Sequence, residues 1–219
     1  MTETGRHDSV RSSYDAVAED YVAGFRDELD HKPLDRALLS ALIEQCEMAA
    51  PIADLGCGPG HVTAWLESKG VRAVGIDLSA EMVAVGRREY PGVEFRKGDL
   101  LDLPAVDGEF GAVAALYSII HLEPGELRRA LEEIHRVLRP EGLVLVAFHI
   151  GTEVRHMDEW FGHDVDVDFH FLEMADVVKA MKDTGFVVDA RLERRNHPEE
   201  VETRRGYVLA RRHEATTGA

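Results

Sequence analysis

The sequence predicts a doubly wound α/β protein: a mostly parallel, seven-stranded sheet with helices on both faces and an antiparallel last strand. Short apolar runs alternate with stretches of helical periodicity from residue 51 to residue 149, the pattern of a parallel sheet with crossover helices. A glycine-rich turn, residues 54–60, joins the first run to the helix after it. The run at 143–149 is apolar enough to be a strand covered on both faces.

Taken in order, residues 10–25 suit a helix, with Tyr14, Val17, Ala18, Tyr21 and Phe25 at helical spacing. A second helix fits 33–46, opened by Pro33 and carrying Leu34, Leu38, Leu42 and Ile43 on one face. Strands are expected at 51–55, 72–76, 93–96, 110–116 and 143–149, and helices at 61–68 and 79–90, the latter capped by Ser79. A long helix is expected at 123–138, with Pro124 and Glu126 in its first turn, and Gly142 turns the chain into the fifth strand. Residues 151–164 read as an insertion, 165–171 as an alternating strand, and 173–183 as a helix. Strands at 186–192 and 206–210 complete the sheet, and the ends, to about residue 8 and beyond 212, are expected to fray.

All 219 residues are expected to form one domain. Within it, 1–48 would be lid helices, 49–150 a ligand-binding core, 151–171 an insertion lining a second pocket, and 172–212 the end of the sheet. No apolar run approaches the roughly 20 residues a membrane span needs, and no apolar leader is present, so a cytoplasmic protein is expected. Cys46 and Cys57 stand in no metal-ligand pattern. A net charge of −16 disfavours nucleic acid and anionic membranes as partners; the pairs Arg194–Arg195, Arg204–Arg205 and Arg211–Arg212 read as flanks of two late strands.

The turn Asp54-Leu55-Gly56-Cys57-Gly58-Pro59-Gly60 carries the chemistry. Its glycines let a ligand approach the backbone, and the helix start offers free N–H groups. A dinucleotide fingerprint would need glycine at position 61, which is His61, and no Gly-Lys-Ser/Thr is present for a phosphate loop. Asp77 ends the second strand, where an acid can accept both ribose hydroxyls, and Gly98-Asp99-Leu100 follows the third. Acidic strand ends beside one glycine loop describe a nucleoside site without a phosphate partner.

These residues resemble the class I S-adenosylmethionine-dependent methyltransferases, particularly the small-molecule branch, over about residues 12–145. DLGCGPG looks like the first motif of that family, GIDLSAEM the second, GDLLDLP the third and the ALYSIIHL region the fourth; Tyr14-Asp15 and Tyr21 are similar to its lid helix. The resemblance implies a Rossmann-like methyltransferase fold, S-adenosylmethionine as cofactor and S-adenosylhomocysteine as product. It implies that Asp54 and the loop of Gly56, Cys57, Gly58 and Gly60 hold the methionine end, and that Asp77 takes the ribose hydroxyls. Leu78 and Met82 would pack on adenine, Asp99, after Gly98, would accept its amino group, and Leu100 would offer a backbone N–H. Tyr117 and Ser118 would stand beside the methionine moiety. Glu141 departs from the family's LRPGG, with no expected consequence because Gly142 remains.

Methyl transfer from a sulfonium needs alignment and dryness more than acid–base machinery. Tyr14 and Tyr21 either face the sulfonium cation or pack their helix on the core. If the acceptor must lose a proton, His121 and His149 lie at the functional edge as bases. His149, His156, His163 and His170 recur every seventh residue, but strands at both ends of the run make the spacing coincidental, and no metal is expected. Trp160, Phe161, Phe169 and Phe171 would wall an acceptor pocket, or else strap the sheet edge or join two copies. The expected activity is methyl transfer to an O, N or C nucleophile of a small metabolite, by a monomer or homodimer. The alternatives are non-methylating chemistry with the same cofactor, a non-catalytic partner subunit, and a nicotinamide oxidoreductase.

Overall fold

The computed structural model describes residues 3–46, 50–123 and 125–213. Helices α1 (Glu3–Phe25) and α2 (Pro33–Gln45) precede an alternating core of β1 (Ile52–Leu55), α3 (His61–Ser68), β2 (Ala73–Asp77), α4 (Ala80–Glu89), β3 (Glu94–Lys97), β4 (Phe110–Leu116), α5 (Leu127–Val137) and β5 (Leu138–Ile150). A hairpin follows, β6 (Val154–Trp160) and β7 (His163–His170), then α6 (Met174–Asp183), β8 (Phe186–Arg194) and β9 (Arg204–Arg212).

The local chemistry accounts for these elements. All four residues of β1 are buried, as in a strand covered on both faces. Helix α5 buries Leu127, Ala130, Leu131, Ile134 and Val137, one stripe at spacings of three and four. Ser79 caps α4 by accepting a 3.0 Å hydrogen bond from the Met82 N–H.

The seven sheet strands lie in the order β3-β2-β1-β4-β5-β9-β8. The first five are mutually parallel, while β9 runs antiparallel to both β5 and β8, as the sequence predicts. One core joins the sheet to α5 and α6 through Leu131, Ile134, Val177 and Met181, and the other joins it to α2 and α3 through Leu39, Leu42 and Leu66. Strand β1 is flanked by β2 on one side and β4 on the other, so the chain reverses its direction of travel there. In open α/β sheets a crevice forms above the carboxyl ends at such a point.

Five expectations need correction. The first helix begins at Glu3, where fraying to residue 8 was expected; contacts from His7 to the sheet edge fix that turn. Helix α5 begins at Leu127, four residues late, because the Glu126 carboxylate turns back to accept the Glu123 N–H at 2.9 Å. The expected place of Pro124 falls outside the described residues, as do the boundary near residue 48 and the end beyond residue 213. Strand β5 begins at Leu138, its irregular entry carrying Glu141 at φ 61° and shifting the register against β4. The stretch expected to be an irregular insertion holds β6, which pairs with β7 as a separate two-stranded sheet. Its Val154, Arg155 and His156 are exposed, so it lacks the apolar alternation that marks a half-buried strand. Strand β8 runs two residues further than expected, to Arg194.

Candidate functional site

Every parallel strand end beside β1 contributes to one crevice. The loop after β1 has three glycines with positive φ, 67° at Gly56, 53° at Gly58 and 87° at Gly60. At Gly56 and Gly60 a side chain is excluded twice over: the backbone is left-handed, and a Cβ would collide with Ser118 or with the Phe95 ring. The loop is pinned to β2: the Gly56 N–H donates to the Ile76 carbonyl at 2.8 Å, and the Gly58 N–H to Asp77 Oδ2 at 2.7 Å. Asp77 Oδ1 accepts from the Ser79 N–H at 2.8 Å, and Asp54 Oδ2 from the Thr63 hydroxyl at 2.6 Å.

A cavity of about 890 Å³ opens over this edge, roofed by α1 and by the hairpin. Gly60, Met82 and Phe161 do not line it, Phe161 being exposed; every other residue named for the cofactor, the base or the acceptor wall does. Gly60 is taken up with starting α3 against Phe95. Met82 is fully buried beneath α1 with Val17, Ala18 and Val22, so packing on adenine is not its position. The Cys57 thiol is turned into a cluster with Val83 and Phe95, leaving the backbone of that residue to the cavity.

Electrostatics divide the cavity. At one end Asp54 is buried and Asp77 half-buried, and desolvation pushes each carboxyl up to about 6 against the hydrogen bonds that favour its charge. Asp99, after β3, accepts the Leu101 N–H at 2.8 Å, while its other oxygen lies 3.3 Å from His7 Nδ1. That end attracts cations. The other end carries opposed charges already paired: Lys32 with Glu28 at 2.6 Å, Arg194 with Glu200 at 2.5 Å and with Asp35 at 3.1 Å. Burial works against the charge of Glu28, yet hydrogen bonds from His61 and Lys32 hold it down to about 2.

The two histidines differ. His121 Nδ1 lies 3.2 Å from the Asp168 carbonyl, so it carries the proton, and Nε2 accepts from the Tyr14 hydroxyl at 2.8 Å. Burial lowers its pKa to about 4 and keeps it neutral near pH 7. Both nitrogens are thus engaged within the protein, which corrects the expected role as a base. His149 Nδ1 meets the Thr203 hydroxyl at 2.9 Å, and its ring stacks on Phe171 at 5.1 Å. Burial, with Arg205, Arg155 and Lys32 nearby, lowers it to about 4 as well. Tyr117 follows β4 with φ 57°, a conformation that costs a residue with a side chain about 1–3 kcal/mol.

Sequence reasoning missed His7, Lys32, Asp35, Glu200, Thr203 and Arg205, which line the cavity from outside the glycine-loop region. It weighed His61 only as a missing glycine; His61 lines the cavity, bonds Glu28 at 3.1 Å and leaves Nδ1 buried without a partner. Its place at the start of the helix after the loop was the available signal. His149, His156, His163 and His170 fall on three different strands, and among the described residues no three acidic, histidine or cysteine side chains gather as a metal site. No helix among the described residues is long and apolar enough to cross a membrane.

Residues 52–142 match the family model described as a methyltransferase domain. That segment of the chain is similar to methyltransferase domains. The chain is 29% identical over 153 residues to a demethylmenaquinone methyltransferase of Chlorobaculum parvum, covering 67% of this chain and 62% of that protein. To a demethylmenaquinone methyltransferase of Beutenbergia cavernae it is 35% identical over 143 residues, 65% of this chain and 56% of the relative. The chain therefore spans less than two thirds of the length of these curated relatives. A crystal structure of Burkholderia thailandensis 1,6-didemethyltoxoflavin-N1-methyltransferase, with 1,6-didemethyltoxoflavin and S-adenosylhomocysteine bound, shares the fold at a TM-score of 0.76 and 18% identity, covering 98% of this chain and 92% of that one. The matched segment thus contains the glycine loop, the three acidic strand ends and Ser118, whose buried Oγ has no partner among the described residues. A cationic nucleoside fits that donor and acceptor set.

Proposed function

We propose that the chain binds S-adenosylmethionine at the acidic end of the cavity and methylates a small molecule held at the other end. The observation that carries this reading is the convergence of Asp54, Asp77 and Asp99 with the Gly56–Gly58 backbone on one cavity large enough for two ligands. When bound, S-adenosylmethionine supplies an electrophilic methyl group on a sulfonium.

The residues of the chain supply placement. Asp54 and the glycine loop hold an ammonium and carboxylate, and Asp77 accepts ribose hydroxyls with the lone pairs its two backbone donors leave free. Leu78, Leu100 and Asp99 close around the base, with Gly98 setting the turn, and Ser118 offers its unpartnered hydroxyl. Tyr14 and Tyr21 lie edge-on to Trp160 at 5.6 and 5.4 Å between ring centres. These rings both exclude water and favour a positive charge, the latter by about 1 kcal/mol. His121 positions Tyr14, and His149 is neutral but weakly basic, suited to accepting a hydrogen bond. On this reading 1–48 acts as lid, 49–150 as cofactor core, 151–171 as acceptor wall and 172–212 as the closing part of the sheet. The acceptor is a small metabolite rather than a nucleic acid, and the enzyme is cytoplasmic.

Thermal unfolding with S-adenosylmethionine, S-adenosylhomocysteine and NAD, each added alone, tests the reading. At a hundredfold excess over Kd, binding adds about 2.7 kcal/mol, a rise in Tm of about 5–10 °C. Both adenosyl ligands should shift the transition and NAD should not. A shift with NAD alone would sink the proposal.

A further inference from the structure

At the far end of the cavity the hydroxyls of Tyr117 and Tyr207 lie 2.9 Å apart. Tyr207 is fully buried on β9, and its hydroxyl donates to Asp35 Oδ1 at 2.9 Å. The Tyr207 hydroxyl oxygen in turn accepts from Arg194 Nε at 2.9 Å. A phenol has one proton, and that of Tyr207 is committed to a carboxylate that can only accept. Tyr117 must therefore donate to Tyr207, and the lone pairs on its own oxygen remain for a donor. Among the described residues no side chain gives Tyr117 such a donor.

The surroundings show what kind of molecule brings it. Tyr117 and Asp35 both line the cavity, and the Tyr117 ring lies 5.2 Å from that of His149, which stacks on Phe171. Lys32 and Arg205 sit 5.2 and 5.8 Å from the centre of the Tyr117 ring, holding it on both the α2 and the β9 side. Flat aromatic walls select a flat ligand. Arg194 is chelated by Glu200 at 2.5 and 2.9 Å, so it keeps a counter-charge if Asp35 becomes neutral.

We propose that Tyr117, Tyr207 and Asp35 form a relay that takes the proton of the methyl acceptor, and that the acceptor is a planar aromatic molecule methylated at an atom bearing hydrogen. The inference rests on the methyltransferase reading above. In the step, the acceptor O–H or N–H proton passes to the Tyr117 oxygen, the Tyr117 proton to Tyr207, and the Tyr207 proton to the Asp35 carboxylate. The freed electron pair on the acceptor forms the bond to the methyl carbon, and the pair of the breaking C–S bond stays on sulfur. One positive and one negative charge disappear together, leaving a neutral thioether and a neutral Asp35. Tyr117 is the catalytic residue; Tyr207 and Asp35 act through it as positioning residues. Burial raises both phenols well above their ordinary pKa, so neither holds the charge and the proton is passed on.

The test compares 1-naphthol with 1-methoxynaphthalene, flat probes that differ in the donor hydrogen. Their Kd values are measured by calorimetry on the full chain, with and without S-adenosylhomocysteine. The native chain should prefer 1-naphthol by about 3- to 10-fold, the worth of one hydrogen bond. Tyr117→Phe keeps the ring and should bind both probes equally. Tyr207→Phe frees the Tyr117 proton for outward donation and should also lower the preference. Should that second variant fail to fold, Tyr117→Phe alone decides. Equal binding by the native chain, no binding of 1-naphthol, or a preference that survives Tyr117→Phe would overturn the relay. If S-adenosylhomocysteine fails to bind while the naphthol preference holds, the cofactor reading fails and the hydroxyl site stands.

Discussion

The Tyr14 hydroxyl donates to Nε2 of His121 across 2.8 Å, tying the first helix to the sheet edge. The bond requires a neutral imidazole, so it opposes protonation of His121. In Tyr14→Phe the His121 pKa should rise a little from about 4, burial still holding it below its ordinary range, read by NMR titration. The variant should also bind S-adenosylhomocysteine about 3- to 10-fold more weakly. An unmoved His121 titration would mean that the hydroxyl donates elsewhere.

Asp54 and Asp77, both pushed up to about 6, give a pH signature. A raised folded-state pKa means the folded apo protein holds these protons more tightly than the unfolded chain does. Their contribution therefore stabilises the fold as pH drops through about 6, and above that the charged pair costs stability. A ligand that brings an ammonium and ribose hydroxyls to Asp54 and Asp77 reverses the preference by requiring the carboxylates. Calorimetry should show S-adenosylhomocysteine affinity level from about pH 7 upward and falling below about 6. Asp77→Asn should weaken binding by about 1–3 kcal/mol and flatten the profile. A wild-type profile flat between pH 5 and 7 would contradict the assignment.

Gly56→Ala should cost about 1–3 kcal/mol of stability, measured by urea unfolding, because left-handed backbone and collision with Ser118 both oppose the methyl group. Gly70 has a φ of 82° with open space around it, so Gly70→Ala meets backbone strain alone and should cost less. Equal losses at the two glycines would show that the Ser118 contact does not matter.

His7 bridges Asp99 and Glu126 at 3.3 and 3.0 Å from a partly exposed position, where ion pairs are worth little. His7→Ala should change global stability by less than about 1 kcal/mol. Hydrogen exchange should nonetheless accelerate at the start of α1, since this contact fixes a turn that would otherwise fray. Unchanged protection there would mean that other contacts anchor the helix.

The sheet was legible because most of its strands are apolar runs separated by helices, and because Asp54, Asp77 and Asp99 lie at or just beyond the ends of successive strands. What escaped has a common physical origin. Strand β6 presents polar residues on its exposed face, so period-two alternation is faint. His7 lies in a polar stretch whose helix is held by tertiary contacts and not by an apolar stripe. Met82 fits a motif position, but the close packing of α1 on α4 encloses its side chain. The group of Lys32, Asp35, Arg194, Glu200 and Arg205 comes from segments more than 150 residues apart, and pairings between charges that distant leave no local pattern.

The roof over the cavity is also a single piece. Asp166 of the hairpin donates its N–H to Ser13 of α1 at 2.8 Å and accepts from Ser9 at 2.8 Å, while His163 reaches Asp20 at 2.9 Å. Lifting the helix from the acidic end therefore drags the hairpin from the aromatic end. A motion that uncovered one end of the cavity would thus uncover the other, so two molecules lodged there would have to come and go together.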